Sequence, residues 1–251
     1  MTDFASLIAP DRGHKARLIH LVDKKSFEGW AAKRSVSDRK LLAAHRFDGK
    51  TGYAFVLLPR GDEFEVVSAV ADAASLSPWC LAKLGGSLPE GTYKLAEGEP
   101  GPAALGWLLA QHRNDNYRSK KDKPEPGPRV LVTGEPARIE EAVRLAEATA
   151  MVRDMVDTPA ADMGPAEIET AARDLAKAIG AEITVTAGRA LEEGYPLIAA
   201  VGRAASEDRA PRLIELLWGN PDHSRLAIVG KGVCFDSGGL DIKPASAMRW
   251  M

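Results

Sequence analysis

A long helical stretch in the middle of the chain, PARIEEAVRLAEATAMVRDMVDTP at residues 136–159, constrains the fold most. Pro136 suits the first turn of a helix, and acidic residues soon after it favour the positive end of the helix dipole. The early part carries one apolar stripe at helical spacing: Ile139, Ala142, Val143, Ala146 and Ala150. The late part carries a second apolar group on nearly the opposite side: Met151, Val152, Met155 and Val156. This pattern predicts a helix that touches two separate bodies, although a helix buried all round in one core would fit it too.

The length of the chain is consistent with two domains. At about 150 residues per domain, 251 residues allow one or two domains. We predict an N-terminal α/β domain over residues 1–134, a connecting helix over 135–157 and a second α/β domain over 158–251.

Charge and composition exclude several classes of protein. The net charge of −2 predicts no general attraction to nucleic acid or to an anionic membrane. The two cysteines form neither a disulfide framework nor a zinc-type pair, which is typical of a reducing compartment. No apolar stretch is long enough to span a membrane, and the N-terminus lacks the apolar region of a secretory signal. We therefore expect a cytoplasmic protein.

Short strand and helix patterns alternate along the whole chain. In the first part we predict strands over 53–59 and 130–134, a strand or short buried helix over 64–71, and a helix over 103–115. In the second part we predict helices over 164–180 and near 190–196 (the latter a helix or a turn), and strands over 181–187, 197–202, 212–218 and 225–230. Helices interleaved with apolar strands favour a layered α/β sheet with buried strands, in part mixed because the last two strands are joined by a short connection.

One basic segment interrupts this pattern. The stretch NYRSKKDKPEPGPR, residues 116–129, is rich in Lys, Arg, Pro and Gly but contains a single aromatic residue. A solvated loop is the simpler interpretation, and a nucleic-acid contact is the alternative.

The last predicted strand leads into a glycine-rich segment with mixed charges, VGKGVCFDSGGLDIKP at residues 229–244. Ligands of α/β sheets bind outside the carboxyl ends of the strands, so this is the expected place for a site. The segment matches neither the phosphate-binding P-loop nor the G-x-S-x-G nucleophile elbow. A catalytic role for Cys234 would need a histidine base, and small apolar filling is the simpler role.

The charged residues of this segment suit a metal site better. Asp236 offers hard oxygen ligands, Lys231 could bind a metal as a neutral amine, and Lys243 as an ammonium could stabilise an oxyanion. An ordinary salt bridge between Lys231 and Asp236 is the alternative that spacing alone leaves open.

The same segment closely resembles the signature of the leucyl (cytosol) aminopeptidases, V-G-K-G-[ILV]-x-F-D-[ST]-G-G-x-x-[IL]-K-P. The resemblance continues upstream, where residues 153–176 and 195–218 are similar to two further stretches of that family. It implies that residues 158–251 form the first part of a mixed-sheet α/β/α catalytic domain. It further implies Lys231 and Asp236 as metal ligands and Lys243 as the catalytic lysine that polarises the scissile carbonyl.

The family resemblance also implies what the protein acts on and with. It implies two divalent metal ions, Mn²⁺ or Zn²⁺ with Mg²⁺ or Co²⁺ as alternatives, and the release of N-terminal amino acids, leucine-type, from peptides. Full-length members of the family assemble as hexamers in the cytoplasm.

Two family motifs that supply the remaining site residues, D-M-G-G and N-T-D-A-E-G-R, do not occur in the 251 residues. We therefore expect a chain truncated on its C-terminal side, whose sheet lacks strands and which is inactive alone. A non-catalytic binding or scaffold protein with the aminopeptidase fold is the alternative. A nucleotide-binding domain that uses the glycine loop for phosphate is a third possibility, disfavoured because Asp236 would repel phosphate.

Overall fold

The computed structural model describes residues 2–50, 52–117 and 127–249. The chain divides into two compact units, Met1–Arg153 and Asp154–Met251. The boundary falls within one long helix.

The first unit contains most of the strands. Its strands are β1 (Ile8–Pro10), β2 (Arg17–Val22), β3 (Phe55–Arg60), β4 (Glu63–Ala69), β5 (Gly91–Leu95) and β6 (Arg129–Thr133). Its helices are α1 (Phe27–Ala32), α2 (Val36–Ala44), α3 (Ala82–Ser87), α4 (Ala104–Leu109) and most of α5 (Ile139–Asp157). Short 3-10 helices cover Phe4–Leu7, Gly101–Ala103 and Pro136–Arg138.

The six strands form one mixed sheet in the order β1-β6-β5-β2-β4-β3. Only the β3–β4 pair is antiparallel, since its two strands are joined by a tight turn at Gly61, whose φ of +66° suits glycine. The other neighbours run parallel. From β2 the chain crosses to β3 at one edge and returns to β4 beside β2, whereas from β5 it crosses to β6 on the other side. The order of connection therefore reverses between β2 and β5.

Both faces of this sheet are covered by apolar side chains. On one face Trp107 and Tyr93 are fully buried, with ring centroids 5.6 Å apart. The indole N–H of Trp107 donates to the carbonyl of Arg129 at 3.0 Å, so its polar atom is satisfied inside the core. A smaller cluster that includes Leu42 and Val67 covers the other face. Strands buried on both faces are typical of a parallel sheet.

Helix α5 adds its early face to the larger cluster. Ala146 and Ala150 are buried, and Ile139, Ala142 and Val143 pack against the same core, as their spacing predicted. The later residues Val152 and Val156 are 53% and 77% exposed. The role of α5 as a connector between domains stays a prediction.

Several predictions for the first unit are confirmed and one is too long. Strands form within the predicted segments 53–59, 64–71 and 130–134 as β3, β4 and β6. The helix predicted over 103–115 is wrong beyond Leu109, where α4 ends. The basic segment lies mostly outside the described residues, but Arg129 at its end is buried and starts β6.

The second unit contains α6 (Pro165–Ile179), β7 (Glu182–Ala187), α7 (Gly188–Gly194), α8 (Pro196–Val201), β8 (Arg212–Leu217) and α9 (Ala245–Met248), with a short 3-10 helix at Glu207–Arg209. Strands β7 and β8 pair antiparallel as a two-stranded sheet. At the start of α6 the Glu167 carboxylate accepts from the Gly164 N–H at 2.8 Å, and at its end Gly180 adopts a left-handed φ of 70°. Helix α6 confirms the prediction over 164–180, as β7 and β8 confirm those over 181–187 and 212–218.

Two strand predictions in this unit are wrong. Residues 197–202 lie largely in α8, because Pro196 at the first position sets a helical φ and the following small and apolar residues tolerate the helix. Residues 225–230 form no strand, and Leu226, Ile228 and Val229 are 86%, 88% and 95% exposed. No described strand pairs with the backbone of this run. Without a neighbouring strand, its apolar side chains are not buried in a sheet.

The expectation of buried strands also fails for β7 and β8, which are partly exposed along their length. Among the described residues of the second unit, the fully buried apolar side chains are Ala176 and Leu191. Nor does any described helix of the chain have the length and apolar content that crossing a membrane requires.

Candidate metal centre

The glycine-rich segment forms a compact turn between Asp236 and Lys243. Gly238 and Ile242 form an isolated antiparallel bridge, and the Lys243 N–H donates to the Ser237 carbonyl at 2.9 Å. Gly238 has a φ of +110°, and a Cβ added there would collide with the Asp241 carbonyl oxygen. Glycine therefore fits position 238 without strain, whereas a residue with a Cβ would not.

This turn brings the predicted ligand Asp236 and the predicted catalytic residue Lys243 into direct contact. The Lys243 ammonium donates to Oδ2 of Asp236 at 2.8 Å and to the Asp236 carbonyl oxygen at 2.8 Å. The other carboxylate oxygen, Oδ1, accepts from the Gly238 N–H at 2.9 Å. Both side chains remain accessible, 54% for Asp236 and 37% for Lys243.

These contacts keep the carboxylate charged. The pKa of Asp236 is lowered, first by the hydrogen bond from Lys243 and next by the backbone N–H of Gly238. The charge of Lys231 contributes least to this lowering of the pKa. Asp236 is therefore ionised and solvent-accessible near neutral pH, which is the state in which a carboxylate binds a cation.

Lys231 stands apart from the pair. It is exposed, and no ion pair of Lys231 is found among residues 2–50, 52–117 and 127–249. The salt bridge with Asp236 that spacing left open is thus formed by Lys243 instead. The structure brings together two of the three predicted site residues.

Cys234, on the same segment, is not prepared for nucleophilic chemistry. Its pKa is raised, chiefly because partial burial disfavours the thiolate. Its thiol contacts the carbonyl of Gly232 at 3.7 Å. Cys234 is half-buried and belongs to neither apolar core cluster, so its filling role stays a prediction.

An ion-pair cluster close to this segment escaped the sequence reasoning. Arg209 contacts Glu167 at 3.1 Å and donates to the carbonyls of Ala160 and Ala161, so it ties the start of α6 to the loop before it. Arg212 similarly contacts Glu169 on α6 at 2.6 Å. These ion pairs join basic residues after position 205 to acidic residues on α6. A local sequence pattern does not predict them, because more than 40 residues separate the partners.

The donor set present fits part of a metal site. Asp236 supplies hard oxygen donors, and Lys231 supplies a nitrogen donor if it loses its proton, a combination acceptable to Mn²⁺ or Zn²⁺. In the parts of the chain that the structure describes, however, no three His, Cys, Asp or Glu side chains come together as a metal-binding group. These residues alone would leave most coordination positions of two cations unfilled.

Comparison with known proteins places this segment in a family. Residues 150–251 match the model of the cytosol aminopeptidase family, catalytic domain. A probable cytosol aminopeptidase of Mycobacterium leprae is 38% identical over 160 residues, which cover 58% of this chain and 30% of that protein. A probable cytosol aminopeptidase of Chelativorans sp. is 27% identical over 275 aligned positions, which cover 99% of this chain and 55% of that protein.

Solved structures extend the similarity to nearly the whole chain. The cytosol aminopeptidase of Coxiella burnetii has a TM-score of 0.80 and 28% identity, covering 98% of this chain and 53% of that chain. The bottromycin maturation enzyme BotP, solved in complex with Mn, has a TM-score of 0.71 and 29% identity, covering 94% of this chain and 53% of that chain. The chain spans about half the length of these solved relatives. Its residues 150–251 are thus similar to the catalytic domain of the cytosol aminopeptidases.

Proposed function

We propose that this chain contributes one part of the catalytic site of a metal-dependent aminopeptidase. The proposed activity is release of N-terminal amino acids, with a leucine-type preference, from peptides. The observation that carries the proposal is the family match over residues 150–251, which contains Lys231, Asp236 and Lys243 at the spacing of the family signature.

In this proposal Lys231 and Asp236 hold divalent metal ions. The accessible, ionised carboxylate of Asp236 supports the role of ligand, and the Mn complex of BotP favours Mn²⁺ among the candidates Mn²⁺, Zn²⁺, Mg²⁺ and Co²⁺. Two bound cations supply Lewis acidity toward the scissile carbonyl and a binding point for the free α-amine of the peptide. Lys231 would act as a ligand through the nitrogen of its neutral amine.

Lys243 has the role of hydrogen-bond donor to the substrate. As an ammonium it donates to the carbonyl oxygen of the scissile bond and stabilises the negative charge that develops there. In the present arrangement its Nζ atom is 2.8 Å from Oδ2 of Asp236. If Asp236 held a cation through that oxygen, the ammonium would keep the Asp236 carbonyl as an acceptor and would have a donor N–H available for the substrate.

The 251-residue chain by itself is proposed to be inactive. Hydrolysis with two metals uses several carboxylates around cations about 4 Å apart, and the described residues bring no such group together. The test is incubation of this polypeptide with leucine p-nitroanilide and added Mn²⁺ or Zn²⁺. Background release of p-nitroaniline is expected, and robust metal-dependent turnover would contradict this part of the proposal.

A non-catalytic binding or scaffold protein is the second candidate function. The absence of a metal-binding group of three side chains among the described residues favours it for the isolated chain. The candidates differ in a measurable way, since the sequence encoded past codon 251 should contain D-M-G-G and N-T-D-A-E-G-R in frame if the protein is an aminopeptidase. A reading frame without both motifs would favour the scaffold.

The place and assembly of the protein follow from the same proposal. Cytoplasmic location and a homo-hexamer are proposed for a protein that contains the complete catalytic domain. Light scattering of the purified product tests the assembly, and a mass other than that of six chains would contradict it.

A further inference from the structure

A cavity of about 500 Å³ opens in the first unit at the carboxyl ends of its parallel strands. Its walls come from the segments that follow three neighbouring strands, β2, β4 and β5. It lies where the order of connection reverses between β2 and β5, which is the position at which open α/β sheets bind ligands. Its volume is within the range of small-molecule sites, about 300–1,000 Å³.

The loops around this cavity are held in fixed positions. Asp23, directly after β2, is a buried carboxylate that accepts from the Ala73 N–H at 2.9 Å and from the Ser26 N–H at 2.8 Å. It therefore links the segment after β2 to the segment after β4. On the other side, Oε2 of Glu99 accepts from Thr133 Oγ1 at 2.8 Å and from the Gly134 N–H at 2.9 Å, which fixes the segment after β5. The cavity is thus a preformed feature of the fold.

The charges that line the cavity are all of one sign. The lining includes the carboxylates of Glu97 and Glu99 but no lysine or arginine. His20, also in the wall, has a pKa lowered mainly by burial, so it is neutral near pH 7. Glu97 is exposed, and no hydrogen bond or ion pair of this residue is found in the described part of the chain. An anionic ligand would be repelled, whereas a cationic group would find a carboxylate available.

The rest of the wall suits an apolar or aromatic body. Trp30 lies 5.4 Å from His20 between ring centroids, and Leu76 and Leu95 add aliphatic surface. The nearest cation to this aromatic wall is Arg34, whose guanidinium lies 4.6 Å above the Trp30 ring but does not line the cavity. One face of the indole is therefore already occupied by a cation, so the ligand's charge is better placed at the carboxylates.

We propose that this cavity binds a small organic amine, with the ammonium group at Glu97 and an apolar or aromatic body against Trp30. Such a site is independent of the aminopeptidase chemistry proposed for residues 150–251. Small molecules with a primary amine and a hydrocarbon body are the chemical class it would take.

The test uses two probes of matched size and opposite charge, 2-phenylethylamine and 3-phenylpropionate. Each is titrated into the ¹⁵N-labelled chain, and backbone amide shifts of Ala74 and Gly98, which lie in two walls of the cavity, are followed. We expect saturable shifts with the amine and none with the carboxylate at the same concentration. Glu97→Gln should weaken amine binding about threefold to fivefold, the effect of one partly exposed ion pair.

Glu147→Gln is the matched control, since Glu147 is exposed on α5 and does not line the cavity. It should leave the amine affinity unchanged. Equal or tighter binding of 3-phenylpropionate, an unchanged amine affinity in Glu97→Gln, or no shift with either probe would overturn the proposal.

Discussion

Asp23 shows how one side chain can organise the end of a sheet. Its two carboxylate oxygens accept from the N–H groups of Lys25, Ser26 and Ala73 and from the Ser26 hydroxyl. These hydrogen bonds stabilise the ionised form, and they lower the pKa of Asp23 from 3.8 to about 2, with the Ala73 bond as the largest cause. The stability that this carboxylate provides is therefore linked to pH.

Replacement of Asp23 by asparagine should lower the free energy of unfolding of the first unit at neutral pH. A pKa lowered from 3.8 to about 2 corresponds to about 2 kcal/mol. Because the folded-state pKa is the lower one, this stability is present above pH 4 and is lost as the pH falls through 2. Urea denaturation at a series of pH values measures the difference between wild type and variant.

Asp72→Asn provides the control for this prediction. Asp72 is an exposed carboxylate in the loop linked to Asp23, and its Oδ1 accepts from the Ala74 N–H two residues away at 2.8 Å. Its replacement should change stability much less. An Asp23→Asn variant with wild-type stability at pH 7 would contradict the prediction that the ionised Asp23 carboxylate stabilises the first unit.

At the candidate site the sequence predicted only part of the side-chain contacts that the structure shows. The signature predicted that Asp236 and Lys243 act at one site, and the turn at Gly238 does bring them together. It did not predict that Lys243, rather than Lys231, pairs with Asp236 here. Sequence spacing fixes which residues share a loop, but the side-chain pairing depends on the backbone path between them.

At the scale of elements, α5 illustrates what helical periodicity can predict. The early apolar stripe faces the core of the first unit, and Ala146 and Ala150 are buried within it. By contrast, Val152, two positions further, is 53% exposed. Small side chains at the buried positions allow the helix to approach the core closely, and neither position has room for a charge.

A matched pair of substitutions on α5 tests which face of the helix is buried and which is exposed. Ala150→Glu should lower the free energy of unfolding by about 3 kcal/mol or more, because it forces a carboxylate into an apolar core. Val152→Glu introduces the same side chain on the exposed face and should change it by less than about 0.5 kcal/mol. Thermal unfolding by circular dichroism compares the two variants, and equal effects would contradict the assigned faces.

Strand predictions were confirmed for the adjacent strands β3 and β4 and also for β6, whose partners β1 and β5 are distant in the sequence. Apolar composition predicted a strand over 53–59 and left a strand or a short helix open over 64–71, and the structure shows the two as paired strands. The apolar run 197–202 was predicted as a strand but is largely helical. Pro196 occupies the first position of this helix, which is where proline favours helix formation. The run 225–230 has strand composition, but whether it pairs depends on neighbours that the run itself cannot specify.

At the scale of the whole molecule, the two units differ strongly in how much apolar surface they bury. The first has a continuous core that includes Trp107 and Tyr93, whereas the second leaves Leu217 and Trp218 more than half exposed at the end of β8. Exposed apolar patches of this kind mark surfaces that another polypeptide segment covers.

Backbone amide hydrogen exchange should be slower in the first unit, which has the continuous core, than in the exposed segment of the second unit. Backbone amides of residues 226–236 donate no hydrogen bond within the described parts of the chain, so they should exchange within seconds. Amides of β2, which pairs with strands on both sides, should stay protected for hours. Exchange followed by mass spectrometry measures both, and slow exchange over 226–236 would show that this segment is covered in the isolated chain.

The central claim is that Asp236 belongs to the metal site of an aminopeptidase, and leucine p-nitroanilide hydrolysis tests it most directly. The polypeptide from the complete reading frame is assayed with Mn²⁺, and compared with its Asp236→Asn variant after both are shown to be folded by circular dichroism. We predict metal-dependent turnover that the substitution lowers by about 100-fold or more, since it removes a charged metal ligand. Turnover by Asp236→Asn equal to that of wild type, or no turnover by the folded wild-type product, would contradict the claim.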